Sequence, residues 1–252
     1  MARVAVVLFV LAVWGCSDNP YVIGRHVDGG RRDAGNGDAG IGECGDAHAA
    51  ALICSGFERD DLAGDFADTV VVNAGALERS TERVHAGAGA LHASSDAVES
   101  VAVVLASFPA LFSGELHLRA YLYVPADLPT ETINIFFVGD QPVPDPFTGL
   151  DFNLENGALQ VFSSPTDRRT GDLAIPRDRW FCLRARIAID DAGSVEAFID
   201  EEPALDVTGI DTLPSAGVHL FRVGVDWSSA QAAFFEIYID DVVLDTTEVE
   251  CL

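Results

Sequence analysis

Apolar and polar residues take turns through much of this chain, and that alternation marks strands with one side packed on a core. In 115–124, Leu116, Leu118, Ala120, Leu122 and Val124 fall on one side, with His117, Arg119, Tyr121 and Tyr123 on the other. In 177–190, Phe181, Leu183, Ala185, Ile187 and Ile189 oppose Cys182, Arg184 and Arg186, and Trp180 anchors the start. In 150–155, Leu150, Phe152 and Leu154 oppose Asp151, Asn153 and Glu155. Asn156-Gly157 is the signal for a tight type I′ turn, after which 158–163 returns with Gln160 and Phe162 on the polar side. The run 133–138 sets Ile135 and Phe137 against Asn134 and Phe136.

Shorter patterns fill in the rest. Strands are expected at 56–58, 70–72, 101–105, 194–200, 218–225 and 234–244, and 83–94 reads as a hairpin arm bent at Gly87 and Gly89. Residues 107–111 read as a connector. The stretch 140–147, with Pro142, Pro144 and Pro146, must leave any sheet, because Pro cannot donate to the ladder. Helical periodicity is nearly absent. Strands at short, even intervals predict an all-β fold, a two-sheet antiparallel jelly-roll sandwich.

The N-terminus is of another kind. Arg3 precedes an apolar stretch, 4–14, that is too short to span a bilayer, and Val13-Trp14-Gly15-Cys16 resembles a bacterial lipobox. Residues 1–15 are therefore expected to be a lipoprotein signal peptide, with Cys16 the lipidated (for example palmitate-bearing) residue. Ser17 in place of Asp after the Cys points to the outer membrane, the domain facing the periplasm or the cell surface. An ordinary secretory signal with a stray Cys16, or an uncleaved anchor, is the alternative. Residues 16–46 are rich in Asp and Gly and have almost nothing to bury, so they read as a disordered tether of roughly 30 Å reach. The folded domain is assigned to 47–252.

Charge and cysteines narrow the partners. All 15 basic side chains are Arg, and 40 acidic residues leave a net charge of −25. That argues against nucleic acid and anionic membrane surfaces as partners of the domain, since both need basic patches, and leaves the membrane to the lipid anchor alone. Apart from Cys16, Cys44, Cys54, Cys182 and Cys251 form an even set in an oxidising compartment, which reads as two disulfides among three possible connectivities. The preferred pairing is Cys44 with Cys54 and Cys182 with Cys251. A zinc site is the rival, but no CxxC spacing supports it.

Several segments together resemble a known family. Phe57-Glu58 at the domain start, Gly87-Ala88-Gly89-Ala90-Leu91, Arg119-Ala120-Tyr121-Leu122-Tyr123-Val124-Pro125, Trp180-Phe181-Cys182-Leu183 and the final Ile239-Asp240-Asp241-Val242-Val243-Leu244 are similar to the concanavalin A-like lectin/glucanase (laminin G-like) jelly roll. The match is closest to the versions on secreted and lipid-anchored proteins of myxobacteria, and it covers about 54–252. The resemblance implies a concave sheet that takes a polysaccharide or a glycosylated partner. Carried over by position, His117, Arg119, Tyr121, Tyr123, Asn134, Phe136, Asp151, Asn153, Gln160, Arg184 and Arg186 would line it. Rings stack on sugars, and Arg, Asn and Asp bond hydroxyls in fixed directions. The plainer alternative is that these residues are the solvent side of an amphipathic sheet. The resemblance also implies a structural Ca²⁺ near Glu58 and Asp240 or Asp241, whose oxygens suit a hard cation.

Catalytic patterns are missing. The family's glucanases need two Glu flanking an Asp, and only Asp151-Phe152-Asn153-Leu154-Glu155 approaches this. Its alginate lyases need a Gln-Ile/Val-His strand and a Tyr-Phe-Lys-Ala-Gly segment; here Phe162 stands where the His should be, and the chain has no Lys. The sequence therefore predicts a monomeric, non-enzymatic, lectin-like domain. A structural or adhesion protein that binds other proteins is one alternative, and a divergent lyase or glycoside hydrolase is another.

Overall fold

The computed structural model of the chain describes residues 48, 50–96, 100–140, 149–164, 167–229 and 234–251. The expected signal peptide, Cys16, the tether, Cys44 and most of the Pro-rich stretch (141–148) lie outside the described residues. Strand is the main structure of the described residues, as the alternation requires.

Two antiparallel sheets face each other. The first runs β13 (Glu202–Ile210), β12 (Gly193–Ile199), β11 (Trp180–Ile189), β6 (Gly114–Tyr123), β15 (Phe235–Asp245), β4 (Ala90–Ser95) and β3 (Gly75–Ser80), with β1 (Ile53–Ser55) pairing β15 beyond β4. The second runs β10 (Asp167–Ala174), β9 (Ala158–Ser164), β8 (Gly149–Glu155), β7 (Ile133–Gly139), β14 (Val218–Ser228), β5 (Val101–Leu111) and β2 (Asp68–Val72). The expected two-sheet sandwich is the fold.

The alternation places the core where it was expected on the long strands. Leu116, Leu118 and Leu122 of β6 and Phe181, Leu183 and Ile187 of β11 meet Leu150, Phe152, Leu159, Phe221 and Val223 of the second sheet in one buried cluster. Phe136 and Phe221 stack there at 6.0 Å. Burial at about 25 cal/mol per Å² of apolar surface makes this layer the main stabilising term. The Asn156-Gly157 turn has φ of 51° and 76°, both left-handed, as a type I′ turn demands.

Some local readings change. The first strand ends at Ser55; Phe57 sits just beyond it with φ of 54°, buried against Phe66. Residues 107–111 are no connector but the second half of β5, with a register shift opposite β14 between Ser107 and Leu111, where Pro109 interrupts the ladder. In β7 the register slips between Asn134 and Phe136, so Phe136 turns into the core and Phe137 turns outward, the reverse of the expected alternation. The alternation did not mark β3, β10 or β13; β10 is an edge strand with little buried, so no core face wrote a pattern into it.

Candidate ligand-binding faces

The residues expected to share one groove stand on two sheets. His117, Arg119, Tyr121, Tyr123, Arg184 and Arg186 project from the first sheet, away from the core. Asn134, Asp151, Asn153 and Gln160 project from the second, away from the core on its other side. Phe136 belongs to neither set. With the apolar layer between the sheets, the two sets cannot line one site, which corrects the single-groove expectation. Period-two alternation says which side of a strand is polar, but not which sheet the strand joins.

On the first sheet the polar side chains already have partners. Arg119 donates to the Glu250 carbonyl at 3.1 Å. Arg184 pairs with Glu201 at 2.7 Å and Glu248 at 3.4 Å, and Arg186 pairs with Glu115 and with Glu196 at 3.3 Å. His85 stacks on Tyr121 at 3.5 Å, and the Arg83 guanidinium lies 4.4 Å from the centre of the Tyr123 ring. Among these side chains lies a depression of about 120 Å³ lined by residues that include His117, Arg184, Arg186, Phe198 and Glu248. The C-terminal segment is fastened across this side by the Cys182–Cys251 disulfide, the pairing expected from the sequence. Cys54 is disulfide-bonded as well; its expected partner Cys44 lies outside the described residues.

The second sheet offers a more ordered arrangement. Strand register aligns Arg222, Phe137, Asp151, Phe162 and Arg168 in one row across β14, β7, β8, β9 and β10. The Arg222 guanidinium lies 4.0 Å from the Phe137 ring centre, and Arg168 lies 4.9 Å from that of Phe162. A second row aligns Trp227, Asn134, Asn153, Gln160 and Thr170. Neighbouring strands are about 4.8 Å apart, so each row is a ladder of evenly spaced groups. Asn153 donates to Gln160 Oε1 at 3.4 Å, while Gln160 Nε2 donates to Glu155 and, at 3.1 Å, to Thr170.

These side chains pack closely, and Asn134, Asp151, Asn153, Gln160, Arg222 and Asp226 are only 3% to 8% exposed. Burial shapes their chemistry. The Asp151 carboxyl is pushed up to about 8, first by desolvation and then by the Asp226 charge, with the Asn134 amide and Arg222 pulling the other way. Desolvation also raises Asp226, and Arg222, 2.8 Å away, opposes that shift. At neutral pH the face therefore holds Asp151 as a protonated acid, beside the Arg222–Asp226 contact and a chain of amides.

Comparison with known proteins bears on the fold. The structure superposes on an endo-β-1,4-glucuronan lyase from the fungus Trichoderma reesei with a TM-score of 0.60 and 14% identity, over 78% of this chain and 96% of the other. It superposes on the cellulose-induced protein Cip1 with a TM-score of 0.59 and 14% identity, over 79% and 100% of the two chains. The alginate lyase Aly36B gives 0.51 and 12%, over 79% and 98%. The chain shares their fold. At these identities the likeness extends to the jelly-roll architecture and no further. No family model and no curated protein matches the sequence.

In that fold the strand that sequence reasoning undervalued is β14. Arg222 and Asp226, on the same side of the strand, were absent from the expected site because the sequence assigned no outward side to 218–225 and the strand was expected to end at Val225. Phe137 was missed because the β7 irregularity reverses its side, and Thr170 because β10 shows no alternation.

The expected cation ligands are brought together, but they are largely occupied. Glu58 accepts from the Ala88 N–H through both oxygens, at 3.1 and 2.8 Å. Asp240 accepts from the N–H groups of His85 at 2.9 Å, Ala86 at 3.3 Å and Asp241 at 2.8 Å. Asp241 Oδ2 lies 2.7 Å from His85 Nδ1. Asp241 Oδ1 is buried with no hydrogen-bond partner among the described residues. Among those residues no group of three or more His, Cys, Asp or Glu side chains is arranged to hold a metal. The donors suit Ca²⁺ in kind, but the side chains do not form the six- to eight-oxygen cage it needs. Burial and the neighbouring Asp241 charge push Asp240 up to about 8, which also disfavours the ionised ligand.

Proposed function

We propose that the chain is a lipid-anchored, non-enzymatic carbohydrate-binding domain, and that its ligand face is the outward side of the second sheet. The observation that carries this reading is the pair of register-aligned rows, Arg222 to Arg168 and Trp227 to Thr170. They offer directional amides and charges beside aromatic rings at regular spacing. Such groups recognise hydroxyls and ring faces of sugars. The shared fold with a glucuronan lyase, Cip1 and an alginate lyase supports it. On the first sheet, the occupied side chains favour the plainer role of cross-strand and tail partners. A glycan array with purified protein tests the proposal. Asn153→Ala and Gln160→Ala are expected to weaken binding at least tenfold, while Tyr123→Ala leaves it intact; no binding at millimolar sugar sinks it.

A divergent lyase or hydrolase is the second reading, favoured by Asp151, an acid held protonated near neutral pH beside Arg222. It requires product release from a polysaccharide, abolished in Asp151→Asn. Anchoring through Cys16 at the outer membrane is proposed from the sequence alone; among the described residues no helix is long and apolar enough to cross a membrane. Incorporation of a labelled fatty acid, lost in Cys16→Ala, checks it.

A further inference from the structure

The alternation of β14 holds as far as Val225 and then breaks. Phe221, Val223 and Val225 all point into the core, and one more step of two would send Trp227 there as well. Instead the register against β7 shifts between Val223 and Trp227. Trp227 comes to lie opposite Asn134, on the outward side of the second sheet, while Ser228 takes the position opposite the core residue Ile133. Gly224 lets the backbone do this: its φ is 132°, and a Cβ there would stand 2.2 Å from the Ala102 carbonyl oxygen. Irregularities of this kind re-aim a side chain, and here the side chain turned outward is an indole.

Accessibility sets Trp227 apart from its neighbours. It is 42% exposed, whereas Phe137 and Phe162, the other rings of the two rows, are 2% and 7% exposed. Asn134, Asn153 and Gln160, beside it along its own row, are 3% to 4% exposed. Within the two rows the aromatic surface that a ligand can reach is therefore the indole. A single exposed apolar side chain is ordinary on a protein surface. Here, however, a strand ladder is broken to turn a large ring away from the core and onto a face built of amides and charges. An indole offers a rigid apolar plane with one N–H at its edge; a sugar ring offers a face of C–H groups with hydroxyls around its rim. The two surfaces match, and stacking leaves the hydroxyls at the margin, where polar groups and water can meet them.

We infer that Trp227 is the stacking platform of this face, with one sugar ring of the glycan lying flat on the indole at the β14 end of its row, an inference that rests on the carbohydrate-binding reading above. Covering the indole removes more apolar surface from water than any other contact the face offers, so binding depends chiefly on this residue. The amides behind it are bonded to one another from Asn153 through Gln160 to Thr170, and they hold the floor on which the ring is positioned.

The test titrates the full chain with soluble gluco-, manno-, galacto- and uronate-configured hexasaccharides and follows tryptophan fluorescence. The sugar that binds is expected to shift the emission of the parent, and the shift is expected to vanish in Trp227→Ala although Trp14 and Trp180 remain. Affinity is expected to fall at least tenfold in Trp227→Ala, and no more than threefold in Trp227→Phe, which keeps an aromatic face. Because the side chain is exposed, the melting temperature of both variants should match the parent's. Parent-like affinity in Trp227→Ala overturns the inference while leaving the carbohydrate reading in place. So does an equal loss in Trp227→Phe, or an affinity loss that comes with a lowered melting temperature, which would make Trp227 a structural residue. Binding of no hexasaccharide to the parent at millimolar sugar overturns the reading itself, and the inference with it.

Discussion

Arg119, wholly buried in the middle of β6, donates to the backbone carbonyl of Glu250 at 3.1 Å, one residue before the cysteine that closes the disulfide to β11. The tail is thus held twice, by a buried cation and by a covalent bond. The Cys182–Cys251 bridge spans a sequence separation of 69. The chain-entropy model gives a loop of that size about 4 kcal/mol. Cys182→Ala with Cys251→Ala is expected to lower unfolding free energy by roughly 2 to 4 kcal/mol, measured by urea denaturation without reductant. A loss below 1 kcal/mol would show that Arg119 and its neighbours hold the tail unaided.

Asp151 predicts a pH dependence of stability. Its folded-state value of about 8 lies above the ordinary 3.8, so the folded form keeps a proton the unfolded chain has released. Its contribution is fully present below about pH 4 and is lost as pH rises to about 8, at a slope of up to about 1.4 kcal/mol per unit. Asp151→Asn is expected to flatten that fall, giving a variant more stable than the parent at pH 8 but not at pH 4. Parallel curves for parent and variant would refute the buried-acid picture.

Gly87 predicts a coupled pair. Its φ is 71°, and a Cβ placed there would lie 1.8 Å from Glu58 Oε1. Gly87→Ala is expected to cost about 1 to 3 kcal/mol through backbone strain and the clash together. Adding Glu58→Ala removes the clash but not the strain, so the double variant should lose less than the sum of the two single changes. Strict additivity in a thermal-melt cycle would mean that Glu58 swings aside freely.

Calcium remains a proposal with a direct check. If an ion uses Asp241 Oδ1, excess chelator will lower the melting temperature, and saturating Ca²⁺ will restore it by mass action. An unchanged melting curve removes the ion from consideration.

The long strands were legible because each buries one face completely: β6 and β11 read off residue by residue, with the Leu118 and Leu183 sides inward. Where a strand has no fully buried face, as in β10, nothing in the sequence distinguished it from a loop. One irregularity in β7 was enough to exchange Phe136 and Phe137. The candidate face was half legible. Asn134, Asp151, Asn153 and Gln160 do lie together, yet Arg222 and Asp226 join them only through strand order. His117 and its neighbours share the same polar alternation but belong to the other sheet, and that assignment is made by contacts far apart in the chain.

The position of β15 has a consequence for folding. It is inserted between β6 and β4, in the interior of the first sheet and not at its edge. Without it that sheet falls into two ladders, β13-β12-β11-β6 and β4-β3, that nothing joins, so docking of β15 is the step that makes them one sheet.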